Sequence, residues 1–187
     1  MTSNIIQTLS GAYEFLDKTG LEVLVDNIAK VYSANPQYCY YGLTTQNITT
    51  SNTQIRINTE SPDNATTDSN LFEVVDNRDP DVEIRIKKVG MAIAFSSIFI
   101  RNRDGSVTEI ESSMDPLDEN LKGVLSNSMS ALRDNSLWGN LKHVLPFECK
   151  KVGYHVGLNI ANWTKADGSV DGSRSFIAVI FFENKSK

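Results

Sequence analysis

Cysteine is scarce in this sequence: Cys39 and Cys149 are the only two in 187 residues, and neither stands in a CxxC or Cys/His spacing. That count and spacing exclude a disulfide framework and a recognisable zinc site, and leave buried free thiols as the expected state. Histidine is equally rare, at His143 and His155. The sequence has no Gly-x-Ser-x-Gly elbow, no Walker A run and no dinucleotide fingerprint. Its few nucleophiles and bases therefore have no catalytic setting, and no enzyme, cofactor or metal is expected. Basic charge is not in excess. The net charge is −5 and the pI about 5.0, which gives no footprint for nucleic acid. Long apolar runs are missing too: VGMAIAFSSIFI, at 89–100, is too short to span a bilayer. The opening MTSNIIQTLSG has neither the basic nor the apolar region of a secretory signal. The expectation is a soluble chain made in a cytoplasm, without a membrane partner.

What is present begins at residues 13–32, YEFLDKTGLEVLVDNIAKVY. Thr19 and Glu22 have the spacing of a capping box, in which the Thr hydroxyl and the Glu carboxylate each satisfy the other residue's amide. Leu21, Leu24, Val25, Ile28, Val31 and Tyr32 then form one apolar stripe at helical spacing. Asn35-Pro36 ends the helix, because a residue before proline is pushed out of the α region.

Residues 36–70 are dominated by Asn, Thr and Ser and read as extended chain with long polar loops. DVEIRIK alternates, burying Val82, Ile84 and Ile86. The next strand puts Met91, Ile93 and Phe95 on one face and Ala92, Ala94 and Ser96 on the other, so both faces are expected to be covered, the small-residue face by a helix or a neighbouring subunit. Asp104-Gly105 signals a hairpin. A second helix is expected from Asp115, with Pro116 in its first turn and Leu117, Leu121, Val124, Leu125 and Leu132 on its buried side. Past Trp138 the chain returns to β: YHVGLNI buries Tyr154, Val156, Leu158 and Ile160, and SFIAVIFF is apolar on both faces. The predicted fold class is α+β, mainly β. An N-terminal amphipathic helical arm (1–35) precedes an antiparallel, sandwich-like β domain (36–187) with one inserted helix.

Candidate ligand residues are few. In DGSVDG, Asp167, Ser169, Asp171 and Gly172 match the start of a calcium loop, but Ala178 stands where the bidentate Glu belongs, so a plain strand connection is the preferred reading. Carboxylates around DNRDPD read as a solvated turn. Trp163, beside that polar loop, and the tyrosines of YCYY are the side chains suited to sugar or protein recognition. Trp163, Asp167 and Asp171 form the possible ligand-binding set.

The run Phe15-Leu16-Asp17-Lys18-Thr19-Gly20-Leu21, followed by Leu24, resembles a short motif near the start of tail-fibre, baseplate and other appendage proteins of bacteriophages and prophages. The resemblance covers about 20 residues. It implies a virion structural protein, made in a host bacterial cytoplasm, whose arm (Phe15, Leu16, Leu21, Leu24, Val25 and Ile28) anchors it to other virion proteins or assembles it as a trimer or higher homo-oligomer. The competing reading is a non-catalytic carbohydrate- or receptor-binding β module. If the arm serves assembly, Leu24→Glu with Ile28→Glu leaves a chain that keeps its β signature by circular dichroism and loses its oligomeric mass in light scattering. Loss of both together would make the helix an ordinary core element.

Overall fold

A computed structural model describes residues 36–48, 53–76, 82–102, 110–118, 120, 128–132, 138–162 and 168–184. The arm expected over 1–35, the turn at Asp104-Gly105 and the loop residues Trp163 and Asp167 lie outside the described residues. Within them the chain is a succession of strands: β1 (Gln37–Gly42), β2 (Gln46–Ile48), β3 (Thr53–Gln54), β4 (Ala65–Thr66), β5 (Phe72–Asp76), β6 (Val82–Ile86), β7 (Gly90–Asn102), β8 (Ile110–Leu117), β9 (Ser128–Leu132), β10 (Trp138–Cys149), β11 (Tyr154–Asn162), β12 (Gly168–Val170) and β13 (Phe176–Glu183). A 3₁₀ turn, Gly172–Arg174, separates the last two.

The strands form two antiparallel sheets. In the first, β7 pairs with β10 along one edge, and along the other with β13 over Gly90–Ser97 and with β12 over Ile100–Asn102. β13 continues to β1 and β4, and β12 to β2. The second sheet runs β5-β6-β11-β8-β9, with β3 beside β11. The chain passes repeatedly from one sheet to the other, as in a jelly roll. Strict alternation makes this possible. Cys39, Ala92, Ala94, Ile98, Ile100, Leu141, Leu145, Ile177, Val179 and Phe181 point inward from the first sheet, and Ile84, Ile86, Ile110, Met114, Val156, Leu158 and Ile160 from the second, into one buried cluster.

The alternation expected in β6 and β11 is present, β13 is apolar on both faces as expected, and the expected inserted helix is absent among the described residues, Leu121, Val124 and Leu125 of its buried side lying outside them. Asp115, Pro116 and Leu117 are the end of β8, and Leu132 closes β9. The cap chemistry at Asp115-Pro116 yields to a stronger period of two: Ile110, Ser112, Met114 and Pro116 all turn inward. Pro116 lies beyond the last β8–β9 pairing, Met114↔Ser128, so its missing amide costs no bond to β9. The Asp115 carboxylate accepts from Ser113 Oγ (2.7 Å) and caps no helix. The hairpin expected at Asp104-Gly105 is also corrected. β7 and β8 belong to different sheets and do not pair with each other, so these two strands form no hairpin. The small face of β7 meets neither a helix nor a subunit. It faces the core, where Ala92, Ala94 and Ser96 leave room for the second sheet.

Phe181 is fully buried and its ring also packs under the start of β7, where a Cβ on Gly90 would sit 2.6 Å from Phe181 Cζ and 2.2 Å from the Phe182 carbonyl oxygen. Phe181→Ala should lower the unfolding free energy by about 3–5 kcal/mol, read from the midpoint of a urea transition with its slope unchanged.

Candidate functional site

The outer face of the first sheet carries a broad apolar area across β1, β13 and β7. Cross-strand register sets the residues in rows. Tyr38, Ile180, Ile93 and Pro146 stand side by side across β1, β13, β7 and β10, and the next row is Tyr40, Ala178, Phe95 and Val144. Phe176 and Ser97 form the core of a third row, and Phe182 with Met91 of a fourth. Ile93 and Phe182 are a buried pair of their own, with Met91, Val144 and Ile180 packed around them, separate from the sandwich core. Tyr40 stacks on Phe176 (centroids 5.0 Å, interplanar angle 25°), and Phe95 meets Phe176 edge-on at 6.4 Å. Arg174 lies 5.2 Å over the Phe99 ring at the far end. Along β10 the face gives way to exposed Asn140, Lys142, Pro146 and Glu148, and Ser97 Oγ donates to Asn140 Oδ1 (2.8 Å). The exposed ring of Tyr38, 47% accessible, marks the opposite margin.

The alternative sites lack this coherence. Burial pushes the Cys39 thiol far above its ordinary range, and raises Cys149 to about 12, with the Glu148 charge adding to the effect. Neither thiol has a histidine at hand. His143 and Cys149 share β10 six positions apart, about 20 Å, and Cys39 is three strand spacings away, about 14 Å. His143 is instead a strut. Its Nε2 lies 2.6 Å from Ser112 Oγ, joining β10 of one sheet to β8 of the other through the core. His155 lies on the outward face of the second sheet, as its alternation predicts, but is buried there beside Glu83 and Arg85.

Of the ligand residues expected from sequence, Asp171 alone is among the described residues, and its carboxylate is committed to its own turn. Oδ1 accepts from Ser173 N (3.1 Å) and Ser173 Oγ (2.6 Å), and Oδ2 lies 3.9 Å from Arg174 Nε. Gly168, Ser169 and Val170, which a calcium loop would wrap around the ion, are extended in β12 between β2 and β7. Trp163 and Asp167 lie outside the described residues, as do Phe15, Leu16, Leu21, Leu24, Val25 and Ile28. The outer face was legible in principle. GMAIAFSSIF and SFIAVIFF are apolar on both sides, and a two-sheet sandwich consumes only one side of each strand.

No protein-family model and no curated protein matches this sequence. Solved structures do. The crystal structure of murine APRIL at pH 8.0 superposes with a TM-score of 0.55 at 8% identity, over 79% of this chain and 99% of that one. Eiger TNF from S. frugiperda gives 0.53 at 10% identity, over 82% of this chain and 97% of that one. The chain shares their fold. At such identities the likeness concerns the two-sheet architecture, and function must be argued from the surface.

With both thiols sealed in the core and held protonated, Cys39 and Cys149 should remain unlabelled by a thiol reagent at neutral pH and both react once the chain is denatured. Rapid labelling of the folded chain would show that β1 or the end of β10 opens locally.

Proposed function

We propose that this protein is a non-catalytic assembly and binding module that forms a homo-oligomer of three or more copies through the outer face of its first sheet. The observation that carries this reading is the apolar tiling of that face by Tyr40, Phe95, Val144, Phe176 and Ile180, beside the separate Ile93–Phe182 cluster. A continuous apolar patch bordered by polar residues is a recognised mark of an association surface. The occupant is a second copy of the same chain. Lys142 and Glu148, both exposed at the β10 margin, offer charges of opposite sign from one strand, so that in a closed ring of identical copies the cation of one copy can face the anion of the next. The fold shared with murine APRIL and Eiger TNF gives such a module its two-sheet scaffold. The Phe15-Leu21 motif supports the setting: an appendage of a phage particle, made in a bacterial cytoplasm, where the assembled modules contact other virion proteins or a receptor.

Phe95→Glu places a charge at the centre of the face without touching the core. Light scattering should give a multiple of the chain mass for the native protein and a single chain mass for the variant, with the circular-dichroism β signature retained. Ile84→Glu, on the inner face of the second sheet, is the control that should unfold the chain. A native monomer, or a folded Phe95→Glu variant of unchanged mass, would overturn the reading.

A further inference from the structure

Among the described residues β10 is a marginal strand of twelve residues. The other margins are short: the first sheet also ends in β4 and β2, of two and three residues, and the second in β5 and β9, of five each. A short margin protects a sheet from pairing with a strand of another chain, and β10 lacks that protection. β9 lies beside β10 without pairing with it. Its five residues extend over about 17 Å and the twelve of β10 over about 40 Å, so most of β10 runs past it. Leu132 stands six positions before Trp138, which ties β9 to the beginning of β10 and leaves the end of β10 uncovered.

The direction of each backbone group along β10 follows from β7. The Phe99 amide donates to Ser175 Oγ (2.8 Å), its carbonyl accepts from the Asp171 amide (2.8 Å), and the Val89 carbonyl accepts from the Asn184 amide. Odd-numbered residues of β7 therefore turn their backbone groups towards β12 and β13, and even-numbered ones towards β10, because the two directions alternate along a strand. Gly139, Leu141, His143, Leu145, Phe147 and Cys149 stand opposite even-numbered residues and bond to β7. Asn140, Val144, Pro146 and Glu148 stand opposite odd-numbered ones, so their backbone groups point to the margin. Pro146, opposite Ile93, thus occupies a position where its missing amide costs the β7 ladder nothing and removes one donor from the margin. Val144 and Glu148 make no backbone hydrogen bond there among the described residues, and Pro146 and Glu148 are exposed.

We propose that Pro146 closes the uncovered end of β10 to strand addition and so keeps copies of this chain from joining edge to edge. An incoming antiparallel strand exchanges two bonds with every second residue of the margin it joins. Between Val144 and Glu148 that exchange fails at the middle position, since Pro146 has no hydrogen to give and its ring stands where the incoming carbonyl would lie. The Val144 and Glu148 amides are left as isolated donors about 14 Å apart. A strand that joined this margin would present a fresh margin in its turn, which is the route to an open fibre. Pro146 acts on the margin alone, whether or not the outer face of the first sheet is the surface of assembly.

Hydrogen exchange of the native full chain gives the first measurement: the Val144 and Glu148 amides should exchange fast, and those of Leu145 and Phe147 slowly. Pro146→Val restores the donor. Light scattering over a concentration series should then show particles that grow beyond the native mass, with a gain of β signal in circular dichroism, and Pro146→Ala should do the same with a smaller side chain. Moving the block by two residues, in Val144→Pro with Pro146→Val, should return the native mass, because the amide of residue 144 points to the same margin. Adding Phe95→Glu to Pro146→Val should leave the growth in place, which separates this contact from the outer face. Slow exchange at Val144 and Glu148 overturns the proposal, as does a native mass at every concentration in Pro146→Val and Pro146→Ala. Growth that survives in the Val144→Pro double variant, or that Phe95→Glu abolishes, overturns it as well.

Discussion

The two-faced packing of β7 is the constraint on which the rest of the structure depends. This one strand pairs with β10 along its length on one side and with both β12 and β13 on the other. In its first half the inward residues, Ala92, Ala94 and Ser96, are small, which lets the second sheet approach. Its outward residues, Met91, Ile93 and Phe95, are large and demand burial of their own. One sandwich satisfies the first demand; on the second face Ile93 is buried beside Phe182 within the chain, while Met91 and Phe95 stay half-buried and are what the proposed association would cover. The division of bulk between the two faces of one strand thus leads from the fold to the proposed assembly.

Much of the β architecture could be read from the sequence because alternation is a local signal. β6, β11 and β13 follow from their own residues, and the buried thiols follow from their number and spacing. What failed was topology. Asp115-Pro116 is good helix-starting chemistry, and the run behind it carries leucines at helical spacing. The deciding contacts, however, were Ile110 and Met114 against a sheet contributed by residues far along the chain, and tertiary burial overrides a cap worth about 1 kcal/mol. Asp104-Gly105 failed in a related way. It is a sound turn signal, but nothing near it specifies whether the next strand pairs with the last or crosses to the opposite sheet.

The candidate site was less legible. Reading Met91, Ile93 and Phe95 as one face was correct, yet which face met the core depended on which had room for a second sheet. Aspartates in DGSVDG suggested a cation, and the structure spends Asp171 on its own 3₁₀ turn. His155 and Glu83 alternate like solvent-facing residues, and nothing local reveals that a glycine on the adjacent strand lets the carboxylate settle beside the ring. The signal existed only as a pairing, Glu83 opposite Gly157 and Arg85 opposite His155, and pairings are not written in one strand.

The Ser112–His143 strut has a consequence for fidelity during folding. Antiparallel strands can slip by one residue, and a slip exchanges every side chain between the two faces. For β10 the exchange would drive Lys142 and Glu148 into the core and expel Leu141, Leu145 and Phe147, while separating His143 from the serine across the sandwich. A sheet with an apolar outer face needs such a penalty more than most, because its hydrophobicity alone distinguishes poorly between right and wrong sides. A single buried polar contact, joining residues 31 positions apart, thereby acts as a proofreading mark for strand placement.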